Sequence, residues 1–112
     1  MKATAEIEAG VCGFKTRVAA LCDDDQYVTQ AIETDCEKIG HVADALNAVQ
    51  PLDAFQEINP AAESVLLGCV RQTLKGCCAG CAVPTGLFKA MQVAAGLALP
   101  ADIAIRLSKD SA

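Results

Sequence analysis

The chain has 112 residues, of which 53% are hydrophobic, 21% charged and 4% aromatic, so it fits one domain with a modest core and is too short for two. Its formal net charge is -5 and its nine Lys and Arg residues are scattered, which argues against nucleic-acid binding because phosphate recognition needs clustered cations. Seven cysteines are many for this length, and their odd number argues against a disulfide framework.

The sequence also bears on compartment. Residues 1–6 include a glutamate where a signal peptide needs an apolar run, and the apolar stretch 90–105 is interrupted by polar residues and a proline. We therefore expect a cytoplasmic protein that does not enter a membrane. In that compartment, a high cysteine content favours metal ligation or thiol chemistry.

The first third of the chain has the pattern of β-structure. Residues 4–9 and 15–22 alternate polar and apolar side chains, and residues 27–34 are rich in β-branched types. This period of two is typical of half-buried strands. Gly10 and the acidic run 23–25 separate the segments as turns. The pattern predicts a three-stranded antiparallel meander.

After the third predicted strand, the apolar spacing becomes helical. Stripes of apolar residues cover positions 39–49, 66–74 and 87–95. Pro51 ends the first stripe and Gly96 ends the third. The sequence therefore predicts three helices.

Capping residues set the expected helix starts. Thr34 or Asp35 is the expected cap of the first helix, and Asn59 followed by Pro60 is the expected start of the second. Residues 103–107 alternate again, a pattern compatible with a fourth, C-terminal strand.

The order of elements, strands first and helices after, predicts the fold class. We expect a single α+β domain over residues 1–112, with a three-stranded antiparallel meander followed by three helices packed on one face of the sheet.

Five cysteines are candidate ligands. Cys77, Cys78 and Cys81 lie in one five-residue loop that contains a glycine, residues 77–81. Cys12 lies in a turn between two glycines. Cys36 and Cys81 precede predicted helices, whose N-terminal partial charge stabilises the metal-binding thiolate. Taken singly, Cys12 also fits a small residue buried in a turn, and Cys36 a filler at a helix start. Their occurrence together with the loop favours a functional role.

The remaining candidates fit structural roles better. Cys22 and Cys69 fall on apolar faces, where free cysteine acts as a small hydrophobe. His41, the single histidine, lies off the apolar stripe and is expected on a solvated surface. The acidic run 23–25 lacks the glycine and glutamate of a calcium loop. No Gly-rich phosphate loop or Ser/His/Asp set occurs, so enzymatic activity is not indicated.

The cysteine motifs resemble those of a known family. Three fragments carry the resemblance: Ala9-Gly10-Val11-Cys12-Gly13, Thr34-Asp35-Cys36-Glu37 and Gly80-Cys81-Ala82. With the order of elements over residues 3 to 95, they are similar to the iron–sulfur scaffold family of NifU N-terminal and IscU-like domains. In that family one cysteine lies in a turn between strands, one opens a helix after the third strand, and one precedes the C-terminal helix.

The chain also departs from this family. Phe14 replaces the family's aspartate, Gly80 replaces its histidine before the third cysteine, and its chaperone-recognition segment is missing. Cys77 or Cys78 would instead supply a fourth thiolate, so we expect a cluster held more firmly than on a transient scaffold. Phe14 and residues 82–84 would shield it from solvent.

The resemblance implies an iron–sulfur protein with one cluster of the four-iron type, held by Cys12, Cys36, Cys81 and one of Cys77 or Cys78. It implies a cluster carrier or assembly scaffold, with an iron–sulfur assembly or acceptor protein as partner. A homodimer is compatible with an open sheet edge and alanine-rich helices, which could pair. Three alternatives stay open: a structural zinc domain that uses the same thiols, a thiol–disulfide protein that uses Cys78 and Cys81, and a metal-free protein with incidental cysteines.

Overall fold

The computed structural model describes residues 1–111. Within that range the chain forms four strands, β1 (Lys2–Glu8), β2 (Lys15–Leu21), β3 (Tyr27–Thr34) and β4 (Leu52–Asp53), and four α-helices, α1 (Glu37–Asn47), α2 (Ala54–Ile58), α3 (Val65–Thr73) and α4 (Val83–Ala94). A 3₁₀ turn, Gly76–Gly80, connects α3 to α4. None of the helices in this part of the chain has the length and apolar content needed to cross a membrane.

The strands form one antiparallel sheet in the order β1-β2-β3-β4. The predicted three-stranded meander and the α+β class are therefore confirmed. The fourth strand was expected at residues 103–107, and that expectation is wrong. Leu52 pairs with Val28 instead, while residues 103–107 are exposed and outside any described strand. Alternation alone does not form a strand, because a strand needs a neighbouring backbone.

One face of the sheet carries the core. Helix α4 packs on β1 and β2, α1 packs on β3, and α3 packs mainly on α1. The largest fully buried side chains come from the sheet and from three helices: Val18, Val28, Ile39, Val42, Leu46, Leu66, Leu87 and Met91. The opposite face carries charged residues such as Glu6 and Arg17, whose charged groups are 3.5 Å apart. Helices on one face only were expected, and the structure confirms them.

Helix α4 lies very close to β1. A Cβ added to Gly86 would come within 2.3 Å of Cδ1 of Ile7, so only glycine permits this approach without rearrangement. At the other end of the helix, a Cβ added to Gly96 would lie 3.3 Å from Cε of Met1. Since Ile7 is near the end of β1 and Met1 precedes its start, α4 runs antiparallel to β1.

Helix α1 begins slightly later than expected. Its N-cap is Cys36, not Thr34 or Asp35, and the Cys36 side chain makes no capping hydrogen bond. The hydroxyl of Thr34 accepts a hydrogen bond from the Cys36 backbone N–H at 3.1 Å. The predicted capping residue therefore orders the turn that leads into the helix.

Helix α3 begins five residues after the expected Asn59-Pro60 start, and its N-cap is Ser64. The reason is Glu57, which is only 4% exposed. Its carboxylate accepts hydrogen bonds from the Ser64 hydroxyl at 2.8 Å and from the backbone N–H groups of Val65 and Leu66 at 2.8 and 2.7 Å. The two backbone N–H groups are first amides of the helix, which have no partner within the helix itself. Glu57 therefore determines where the helix starts.

The acidic turn between β2 and β3 also has a defined structure. The carboxylate of Asp24 accepts hydrogen bonds from the backbone N–H groups of Tyr27 at 2.8 Å and Gln26 at 3.0 Å. These two bonds hold the pKa of Asp24 below its usual value. The ionised carboxylate therefore supports the turn at neutral pH, and this support is lost as the pH falls through the lowered pKa.

Replacing Gly86 with alanine tests the helix–strand contact. We expect Gly86→Ala to lower the free energy of unfolding by about 1–3 kcal/mol, because overpacking forces the helix or Ile7 to move. Gly40→Ala is the matched control, since an added Cβ there meets no atom within 4 Å. It should stabilise α1 by about 0.5–1 kcal/mol. Urea denaturation measures both, and equal effects of the two changes would contradict the close contact.

Glu57→Gln tests the buried carboxylate. An amide has one acceptor oxygen and places N–H donors against the helix amides, so we expect a loss of about 1.5–3 kcal/mol in the free energy of unfolding. Glu63→Gln is the control, because Glu63 is exposed and contacts only the exposed Arg71 at 3.0 Å. Its effect should stay below about 1 kcal/mol. A larger loss in the control than in Glu57→Gln would refute the role given to Glu57.

Candidate thiol site

The antiparallel register places two candidate cysteines at the same end of the sheet. Glu8 pairs with Lys15, and Thr16 pairs with Thr34, so β1 ends, β2 begins and β3 ends together. The turn that carries Cys12 connects β1 to β2 there, and Cys36 follows β3 after one residue. We call this edge the Cys12 end of the sheet.

Helix α4 brings a third cysteine to the Cys12 end. The helix runs antiparallel to β1, so its N-terminus lies near Ile7, close to the last residue of β1. Cys81 precedes this N-terminus by two residues and packs partly buried against the core. Three separate loops, which carry Cys12, Cys36 and Cys81, therefore meet at one end of the domain.

The β1–β2 turn has a tight backbone. Gly10 and Gly13 adopt φ values of 92° and 74°, a region that favours glycine. The N–H of Gly13 donates to the carbonyl of Gly10 at 2.9 Å, which closes the turn. Cys12 is exposed on it. A cleft of about 250 Å³ lies beside the turn, lined by Glu8, Ala9, Gly10, Gly13, Phe14 and Lys15.

Cys36 has the electrostatic position expected for a reactive or ligating thiol. It is half-buried at the N-cap of α1, and its side chain is not used in capping. The free amides of the first turn and the helix dipole favour negative charge at this position. Cys36 is therefore the candidate ligand at the start of α1.

The loop with three cysteines is compact. Cys77 and Cys78 lie in the 3₁₀ turn that begins at Gly76, and Cys77 is exposed. The N–H of Cys78 donates to the carbonyl of Lys75 at 3.3 Å, and the N–H of Cys81 donates to the carbonyl of Cys78 at 3.1 Å. Cys78 and Cys81 are half-buried against the core. Their backbones thus share one turn directly before α4.

Convergence of the loops is not the same as an assembled metal site. Among residues 1–111, no group of three or more His, Cys, Asp or Glu side chains is placed to hold a metal ion. The residues expected to shield the cluster differ in their exposure to solvent. Phe14 is 40% exposed, whereas Val83 is fully buried in the core. The fold brings the ligand-bearing loops to one end, and ligation would require their thiols to turn toward one centre.

The other candidates occupy different places. Cys22 is 1% exposed, and its thiol donates to the Asp24 carboxylate at 3.8 Å at the opposite end of β2, so the expected core role is confirmed. Cys69 is half-buried on α3. Burial, and then the negative charge of Glu57, raise the pKa of the Cys69 thiol, which keeps it protonated at neutral pH. His41 is exposed, as expected.

Alkylation rates test this division of the cysteines. In folded, reduced protein treated with iodoacetamide at pH 8, we expect Cys12 and Cys77 to react at least about tenfold faster than Cys22 and Cys69, because the reaction needs an accessible thiolate. Because the pKa of Cys69 is raised, its thiolate fraction at pH 8 is lowered. Its alkylation rate should therefore rise only at a pH above the usual thiol range. Peptide mass spectrometry measures each site. In urea the differences should vanish, and equal rates in the folded protein would contradict the assignment.

Comparison with known proteins gives one result. The model of a family of unknown function, DUF6951, matches residues 3–107. This range contains all of β1 except Lys2, the other three strands, the four α-helices and the segment after α4. No curated protein and no solved structure matches the chain. The chain belongs to this family of unknown function, DUF6951.

Proposed function

We propose that the protein binds an iron–sulfur cluster through cysteine thiolates at the Cys12 end of the sheet. One observation carries the proposal: three loops from distant parts of the sequence bring Cys12, Cys36 and Cys81 to the same end of one domain. Thiolates are the usual ligands of iron–sulfur clusters, and four are commonly required. Cys77 or Cys78 would supply the fourth.

The surroundings of these thiols support the proposal. Cys36 is the N-cap residue of α1 and Cys81 lies two residues before α4, and the partial positive charge of a helix N-terminus favours a bound anion. Gly10 and Gly13 in the turn that carries Cys12, and Gly76 in the loop that carries Cys81, adopt positive φ values. Their backbones can approach a bulky centre without a Cβ in the way.

Each residue has a distinct part in this proposal. Cys36 and Cys81 would be the anchoring ligands, because helices fix their backbones. Cys12 would close over the centre from the β1–β2 turn. Ala82 and Pro84, both half-buried beside Cys81, would limit access of water. When bound, the cluster would supply electron transfer or be passed to an acceptor protein, as the resemblance to scaffold domains implies.

Two alternatives use the same residues. Zinc accepts the same four-thiolate set and would hold the loops against the sheet as a structural ion. A thiol–disulfide function is favoured by the hydrogen-bonded turn from Cys78 to Cys81. Such turns keep the first and fourth Cα atoms within about 7 Å, which is close to the range of disulfides.

The proposal is tested by metal content after purification without oxygen. We expect visible absorption with iron and sulfide in equal amounts, and complete loss of both in Cys36→Ser and in Cys81→Ser, because a cluster does not survive loss of an anchoring thiolate. Of Cys77→Ser and Cys78→Ser, one should lose the cluster and the other keep it. Iron, sulfide and zinc analysis, with circular dichroism for folding, gives the answer.

Cys69→Ser is the matched control, since Cys69 lies on α3 away from the three converging loops and its thiol stays protonated. It should keep the cluster. Full cluster content in folded Cys36→Ser and Cys81→Ser would refute the ligand assignment. Colourless protein with one equivalent of zinc would show that the thiols hold a structural zinc ion and not a cluster. Metal-free protein that forms a reversible Cys78–Cys81 disulfide would replace it with thiol redox chemistry.

A further inference from the structure

The segment after α4 has strand-like side chains but no strand neighbour. Ile103, Ile105 and Leu107 are 52%, 67% and 92% exposed and alternate with Ala104 and Arg106. No residue from 103 to 107 belongs to a described strand or helix. Regularly spaced, exposed aliphatic side chains of this size indicate a surface that another backbone covers. The family match extends through residue 107, so the segment is part of the family's domain.

The domain also has a free strand edge. In the sheet order β1 is an edge strand and has β2 as its only described neighbour. The N–H of Ala9 donates to the carbonyl of Phe14, and the N–H of Cys22 donates to the carbonyl of Met1. In an antiparallel ladder the bonded residues alternate. The backbones of Lys2, Glu6 and the other even-numbered residues of β1 therefore point away from β2.

The opposite edge of the sheet is already occupied. Tyr27 and Val28 pair with β4. Beyond β4, the side-chain amide of Gln50 takes the place of a strand: its carbonyl accepts from the Gln30 N–H, and its N–H group donates to the Gln30 carbonyl at 3.2 Å. The β1 edge is therefore the edge with room for a longer strand.

Charges of the segment match those of β1 in one alignment. If residues 102–106 run parallel to β1 beside residues 2–6, Asp102 lies opposite Lys2 and Arg106 lies opposite Glu6. Opposite charges placed across neighbouring strands attract, and like charges repel. The antiparallel alignment of the same residues would place Asp102 beside Glu6 and Arg106 beside Lys2. Charge complementarity thus favours the parallel pairing.

The same alignment continues the core face of the sheet. It sets three apolar pairs side by side: Ala3 with Ile103, Ala5 with Ile105, and Ile7 with Leu107. Ala5 and Ile7 are only half-buried at the edge of the core, under α4. The added side chains would cover this margin and would themselves leave water.

We infer that residues 101–107 form an exchange strand that adds to the β1 edge of a second copy of this chain. The segment is exposed and unpaired on its own domain, so a single chain leaves both the segment and its edge unsatisfied. Two copies related by a twofold axis satisfy both, since each gives its strand to the other. The partner is therefore an identical chain, and the product is a dimer with two five-stranded sheets.

Light scattering after size exclusion tests this inference, with reducing agent present to exclude intermolecular disulfides. We expect the 112-residue chain to be a dimer. Ile105→Lys should weaken the dimer by at least about tenfold in Kd, because it places a charge on the apolar face of the added strand. Ala104→Lys is the matched control, because residue 104 faces the solvated side of the sheet, and it should change Kd by less than about threefold.

A charge exchange tests the alignment. Asp102→Lys should weaken the dimer by about threefold or more, and Lys2→Asp in the same chain should restore it. Because residues 101–107 are exposed on the domain, circular dichroism of the variants changed only in this segment should match that of the original chain. A monomeric 112-residue chain would overturn the inference. It would equally be overturned by a dimer that Ile105→Lys leaves unchanged, or by a monomer whose segment is protected from amide exchange on its own β1 edge.

Discussion

The close packing of α4 on β1 is the constraint on which the arrangement of the domain depends. Gly86 lets the helix backbone approach Ile7 more closely than any side chain would permit. The face of α4 toward the sheet also uses small residues, including Ala90 and Ala94. The contacts of Gly86 with Ile7 and of Gly96 with Met1 show that the helix runs antiparallel to β1. The start of α4, and Cys81 before it, is thereby held at the same end as the β1–β2 turn.

Side chains accept hydrogen bonds from the first amides of α2 and α3, whereas α1 and α4 have no side-chain cap. A buried carboxylate, Glu57, neutralises the start of α3, and Asp53 caps α2 by accepting from two backbone N–H groups. Helix α1 has a thiol, Cys36, at the same position and no side-chain cap. An uncapped N-terminus keeps its partial positive charge for another anion. Cys36 lies at this uncapped helix start, whereas Cys69 lies on α3, where burial and then the negative charge of Glu57 raise the pKa of its thiol.

The start of α3 and the position of the fourth strand depend on contacts that local sequence patterns do not show. Asn59-Pro60 has good capping chemistry, yet α3 starts at Val65 because Glu57 reaches the amides there. The burial of Glu57 carries no sequence signal, and Ser64 becomes the N-cap only where this carboxylate meets the helix start. Likewise, residues 103–107 have the alternation of a strand and no partner on their own domain, while the two-residue β4 is too short for its period to be seen.

The sequence by itself determined the α+β class, the three-stranded meander, the turn glycines beside Cys12 and the apolar stripes of the helices. These features follow from local periodicity and turn chemistry, which neighbouring residues encode. Only the tertiary structure decided which cysteines share one end of the sheet, that Gln50 closes one edge, and that β1 is left open. Those facts depend on strand register and on the direction of α4, which arise from contacts between residues distant in sequence.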